Sequence, residues 1–175
     1  MNKKQYVLLL VAALVFWTAA VSEVFAKTAF HEERQRETLH GLRGVGVLVE
    51  DMNPDTERDG LTRSQLQTDV ELRLRKASIR VLTLDEMRAA PGNPFLYVNV
   101  DTFLRDGSLY AFAITVALEQ AVALKRISTT ETIAATWFSD PYVGTVGKDN
   151  LQEIRKDVAD GVDAFINAYL AVNPR

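Results

Sequence analysis

The sequence of 175 residues predicts an α+β or α/β domain built on a single mixed β-sheet, with element order β-α-β-β-β-β-α and two helices packed on one face. Three observations predict it. Residues 109–124 alternate large and small side chains with period two. A fully signalled helix start stands between two short β-branched runs. A last stretch steps by threes and fours down to Asn173-Pro174.

Residues 44–49 hold the first strand. Gly44-Val45-Gly46-Val47-Leu48-Val49 is a short apolar run bounded by glycine and by Glu50-Asp51. The loop that follows carries Glu50, Asp51, Asp55, Glu57 and Asp59 beside Pro54. The first helix then opens with Thr62 as cap and Gln65 three positions on, the pattern of a capping box. Leu61 and Leu66 are placed as a hydrophobic staple. Leu66, Val70, Leu74 and Ala77 line one face of that helix, and Arg73, Arg75 and Lys76 complement its dipole. Residues 79–84 read as a second strand, which would make a βαβ unit with parallel strands.

After the turn at Pro91-Gly92-Asn93-Pro94, residues 95–104 and 109–124 flank Arg105-Asp106-Gly107-Ser108, a strong hairpin signal. In the second arm Tyr110, Phe112, Ile114, Val116 and Leu118 take even positions, and Ala111, Ala113 and Ala117 take odd ones. Alanine and leucine favour helix, yet a helix would scatter the large residues around its circumference, so period two decides for a strand. A third arm, 130–138, completes an antiparallel meander that Asp140-Pro141 and Gly144-Thr145-Val146-Gly147 are expected to break. The last helix is expected from about Asn150, as cap with Glu153 at N3, to Ala171, with Gly161 as its weak point.

The domain organisation follows from the amino terminus. Lys3 and Lys4, the apolar run 6–21 and a small-residue site ending at Ala26 have the form of a signal peptide. The expectation is therefore a signal peptide over 1–26, a flexible lead-in or weak helix over 27–43, and one domain over 44–175. The protein would be periplasmic or secreted. The alternative is a protein anchored by residues 6–21, a run shorter than the roughly 20 residues of a typical span. Loss of the leader shifts the net charge only from −3 to −4.

Composition removes several functions. With no cysteine, disulfides, thiolate metal sites and cysteine nucleophiles are excluded. No basic tract marks a nucleic-acid surface. Asp55-x-Glu57-x-Asp59-Gly60 imitates half a calcium loop, but the twelfth position is Leu66 rather than glutamate. Gly144-x-x-Gly147-Lys148 lacks Walker spacing, and Asp149 stands where a hydroxyl would ligate magnesium. His31 and His40, the two histidines, both fall in the lead-in, away from any nucleophile elbow. Asp101 and Glu119 on long strands leave carboxylate hydrolysis conceivable, against the plainer reading of a polar sheet face. No catalytic, cofactor-binding or metal-ligating residue is assigned, and no cofactor is expected.

The face carrying Val98, Val100, Phe112, Ile114 and Val116 is the expected buried one, although the register of the first arm rests on the parity of the Asp106-Gly107 loop. If both helices share that face, the opposite one displays Phe95, Tyr97 and Phe103 beside alanines, a candidate contact surface. Trp137 and Tyr142 join them as residues that could line a pocket, set against the more frequent role of plugging the sheet end.

Thr136-Trp137, Gly144-Thr145-Val146-Gly147, Leu151-x-x-Ile154-Arg155 and the run from Phe165 to Pro174 together resemble an uncharacterised family of small signal-peptide-bearing bacterial proteins. The similarity extends over about 42–174 and transfers no site residue. In element order the domain also resembles the amino-terminal domain of TolB and related envelope-assembly proteins, an analogy of fold that says little about function. The function expected on these grounds is an exported, non-enzymatic domain making protein–protein contacts in the cell envelope, with another envelope protein or with itself as partner. No nucleic acid is expected, and membrane contact only through an uncleaved leader. The alternative is a small-molecule binding module using the aromatic face or the Trp137 region.

Overall fold

The computed structural model describes residues 30–174, and the expected signal peptide lies outside them. The fold is α+β: one five-stranded mixed sheet with helices, in agreement with the class read from the sequence. A helix over residues 30–37, α1, precedes β1 (Gly46–Val49). Then follow α2 (Pro54–Arg58), α3 (Arg63–Lys76), α4 (Leu84–Ala89), β2 (Phe95–Arg105), β3 (Leu109–Leu124), β4 (Ile127–Phe138), β5 (Tyr142–Gly147) and α5 (Ile154–Val172).

The sheet runs β1-β2-β3-β4, with β5 also paired to β3. β1 and β2 are parallel, and the remaining pairs are antiparallel. The long β3 is the axis of the sheet. β2 lies along one side of it from Leu109 to Glu119. On the other side β4 pairs with 117–124 and β5 with 109–114, so one path along β3 is interrupted at Asp140-Pro141.

α3 begins as the sequence indicates. Thr62 accepts from the Gln65 amide, and the Gln65 side chain accepts from the Thr62 amide. Leu66, Val70 and Leu74 from α3 and Val158, Val162 and Phe165 from α5 are buried in one core with Val98, Val100, Tyr110, Phe112, Ile114, Val116 and Leu118 of the sheet. Both long helices thus share one sheet face. A fully buried Leu or Phe contributes about 2 kcal/mol, so this layer supplies most of the driving force. Across the outer surface of the helix pair, Arg155 grips Asp69 at 2.6 and 2.9 Å, and Arg73 meets Asp163 at 2.6 Å.

Several elements differ from the sequence reading. Residues 79–84 are not a strand: only Val81 bridges to Val45, on the free side of β1. Thr83 there closes a capping box with Glu86 and starts α4, so the parallel partner of β1 is β2. The Asn53 side chain, accepting from the Asp55 amide, starts the short α2 within the expected acidic loop. Gly144 to Gly147 belong to a strand, because Gly144 leaves room for the Phe112 ring, from which an added Cβ would stand only 2.8 Å. Asn150 does not cap: Lys148–Glu153 is a 3-10 turn that buries Leu151, and α5 starts at Ile154 without a side-chain cap.

The segment before Gly44 is tied into the domain. Leu39 is 0% exposed. The Asn173 side chain accepts from the Gly41 amide and donates to the Leu39 carbonyl, and the Tyr169 hydroxyl donates to the Leu42 carbonyl. The Phe138 amide donates to Gln35 of α1 at 3.1 Å.

Candidate functional site

Because α3 and α5 take one face of the sheet, side chains of the other parity on β2 and β3 point away from the core. Pairing fixes which they are. Phe95 stands opposite Glu119, Tyr97 opposite Ala117, Asp101 opposite Ala113 and Phe103 opposite Ala111. On the far side of β3, Val143 faces Ala113 and Phe138 faces Ala117. The result is a trough along β3 with a floor of Ala111, Ala113 and the exposed Thr115, ending at Ala117, which its neighbours bury. One wall comes from β2, the other from β5 and the end of β4. Phe103 is 70% exposed and Val143 77% exposed. Between them lies a shallow depression of about 290 Å³. At the opposite corner the Met87 side chain of α4 packs over Gly46, the partner of Phe95 in the ladder, and Phe95 is half-buried.

The electrostatics of this face are one-sided. Burial pushes the Tyr97 phenol up, and the Glu50, Glu119 and Asp101 carboxylates gathered around it push it further. Asp101 accepts from the Asn99 side chain at 2.9 Å. None of these three carboxylates forms an ion pair among the described residues. Among the described residues, the sole basic side chain that the strands place on this face is Arg105, at its end.

Of the five residues singled out in the sequence, the structure brings Phe95, Tyr97 and Phe103 to the open face and sends the other two elsewhere. Trp137 is 6% exposed and lies edge-on to Phe165 at 5.4 Å, inside the core. Tyr142 stacks on Phe112 at 5.8 Å on the helix side. Phe138, Val143, Leu48 and Ile133 are exposed apolar residues the sequence reading did not single out. The face of Phe138 and Val143 depends on pairing across the Asp140-Pro141 break, and that of Ile133 on the register shift at Leu118/Glu119, neither of which local alternation reveals.

The acidic loop is built into the fold. Asp55 pairs with Arg58 at 2.5 Å. Asp59 binds Lys148 at 2.8 Å and accepts from the Tyr110 hydroxyl at 2.7 Å. The hydrogen bond from Lys148, then that from Tyr110, holds the Asp59 carboxyl below the usual range. Burial first, and the bond to Asp59 second, push the Tyr110 phenol up to about 12. Lys148, the last residue of the glycine-lysine motif, is thereby committed. His31 and His40 are exposed and separate from the acidic residues of the sheet. Among the described residues, no three His, Asp or Glu side chains converge as a metal-holding group, and no helix is long and apolar enough to cross a membrane.

No protein-family model matches the chain, and the curated proteins contain no match to it.

Proposed function

We propose that this is an exported, non-enzymatic protein of the bacterial cell envelope whose uncovered sheet face is a contact surface for another protein. The observation that carries the reading is the bare alanine-floored trough between Phe103 and Val143. Contiguous apolar surface of this kind, rimmed by polar groups, is the usual mark of an interaction site. Export rests on the charged, apolar and small-residue regions of 1–26. A shallow, open depression is poorly suited to enclosing a small molecule, which ordinarily needs a concave site burying most of its surface.

The test is photo-crosslinking in cells from position 103 or 143, with position 72, half-exposed on the opposite side of the domain, as control. The expected result is one or a few envelope proteins joined to the first two positions and absent from the third. Equal labelling from all three, or retention of the crosslinks to position 143 in a Phe103→Glu variant, would remove the open face from the reading.

A further inference from the structure

We propose that the occupant of the open face is a basic amphipathic helix of a partner protein, lying along the alanine floor of β3 with cationic side chains toward Glu50, Asp101 and Glu119. This rests on the contact-face reading and adds the chemistry of the partner. The shape argument comes first. A chain laid across a sheet face finds no free backbone groups beneath it, so it must satisfy its own amides and carbonyls, as a helix does. Ala111 and Ala113, with the exposed Thr115 beyond them, allow close approach, while Phe103 and Val143 stand up as walls and Phe138 stands at the far end beside the buried Ala117. From Ala111 to Thr115 the floor runs about 13 Å, the length of a helix of about nine residues. Such a helix would complete a third layer on a sheet whose other face α3 and α5 already cover.

Charge selects the partner. Glu50, Asp101 and Glu119 are without ion-pair partners among the described residues, and Arg105 is confined to the end of the face. A second copy packed on this face would bring carboxylate against carboxylate, and an anionic phospholipid surface would be repelled in the same way. A helix with Lys or Arg flanking an apolar stripe relieves that repulsion and fills the trough.

The protein, isolated as the cell makes it, is titrated with a synthetic amphipathic peptide of about 14 leucines and lysines and with its leucine–glutamate counterpart. The lysine peptide is expected to bind and the glutamate peptide not to. Affinity should fall at least about tenfold in Glu50→Gln/Asp101→Asn/Glu119→Gln, in Phe103→Ala, and when salt is raised from about 0.05 to 0.5 M. These positions are at the surface, and unchanged circular dichroism verifies that each variant is folded. Equal affinity for both peptides, or no loss in the triple variant, overturns the basic-helix proposal. So does a dimer in light scattering that Phe103→Glu dissolves, or firm binding to phosphatidylglycerol vesicles. These outcomes leave the contact face standing, provided the crosslinks from position 103 persist. Loss of position specificity in the crosslinking defeats both.

Discussion

Tyr110 shows how one side chain joins distant parts of the chain. Its ring is fully buried, and its hydroxyl reaches Asp59, which Lys148 holds from the other side. Tyr110→Phe keeps the packing and removes the bond, at about 1 kcal/mol in urea unfolding at neutral pH. The pH dependence gives a sharper check. Folding raises the phenol from 10.0 to about 12, so the unfolded chain loses this proton first as pH climbs. The contribution is complete below pH 10 and fades toward pH 12, and the phenylalanine variant should lack that alkaline decline. Asp59 has the opposite sign. Its carboxyl lies below 3.8 in the folded state, so its contribution is present above that value and is lost as pH falls through the lowered one. Asp59→Asn should flatten the acid limb of unfolding measured by circular dichroism below about pH 4. Neither the Tyr110–Asp59 bond nor the Lys148 pair is legible in sequence, since 51 positions separate the hydroxyl from its acceptor. The carboxylates of that loop read equally well as solvent-facing.

At the scale of elements, Gly161 sets two local rules against each other. In a helix interior alanine is favoured over glycine by about 1 kcal/mol. Here, though, an added Cβ would stand 2.9 Å from Val116 Cγ2 and 3.4 Å from its Cβ. Val116 is buried and stiff at χ1, so it cannot swing aside freely. Gly161→Ala should therefore destabilise by about 1 kcal/mol rather than stabilise, and Val116→Ala in the same chain should restore the helix-propensity gain. Urea unfolding of both single variants and the double variant measures the coupling. The same distinction between local and tertiary information separates the elements that were legible from those that were not. α3, β2 and β3 were, because capping box, helical spacing and strict alternation are properties of neighbouring residues. α4 carries a capping box as complete as that of α3, at Thr83 and Glu86, yet its six residues are too few to show periodicity. β5 hides because its glycines resemble a turn, and only the Phe112 ring across the ladder explains Gly144. The candidate face divides the same way: that Phe95, Tyr97 and Phe103 share a face follows from parity within one strand, whereas which face it is depends on the hairpin register. Trp137 and Tyr142 fall to the core side through the register shift and the Asp140-Pro141 break.

For the whole molecule, the decisive connection runs from the segment before β1 to the end of α5. Sequence reading places residues 27–43 outside the domain, since Leu39 and Leu42 are isolated among charges there. In three dimensions Leu39 is fully buried, and Asn173, two residues from the carboxyl terminus, holds the surrounding backbone from both sides. A segment so placed closes the long loop of the chain, linking α1, the end of β4 and the last turn of α5. Leu39→Ala should then behave as a core substitution and destabilise by about 3 kcal/mol. Asn173→Ala, which strips partners from the part-buried Leu39 carbonyl and the exposed Gly41 amide, should destabilise by about 1 kcal/mol. Since both act on one contact, the double variant should lose less than the two losses combined. A surface appendage would instead leave the unfolding midpoint of all three unchanged, and Phe30→Ala, on the exposed side of α1, supplies that reference.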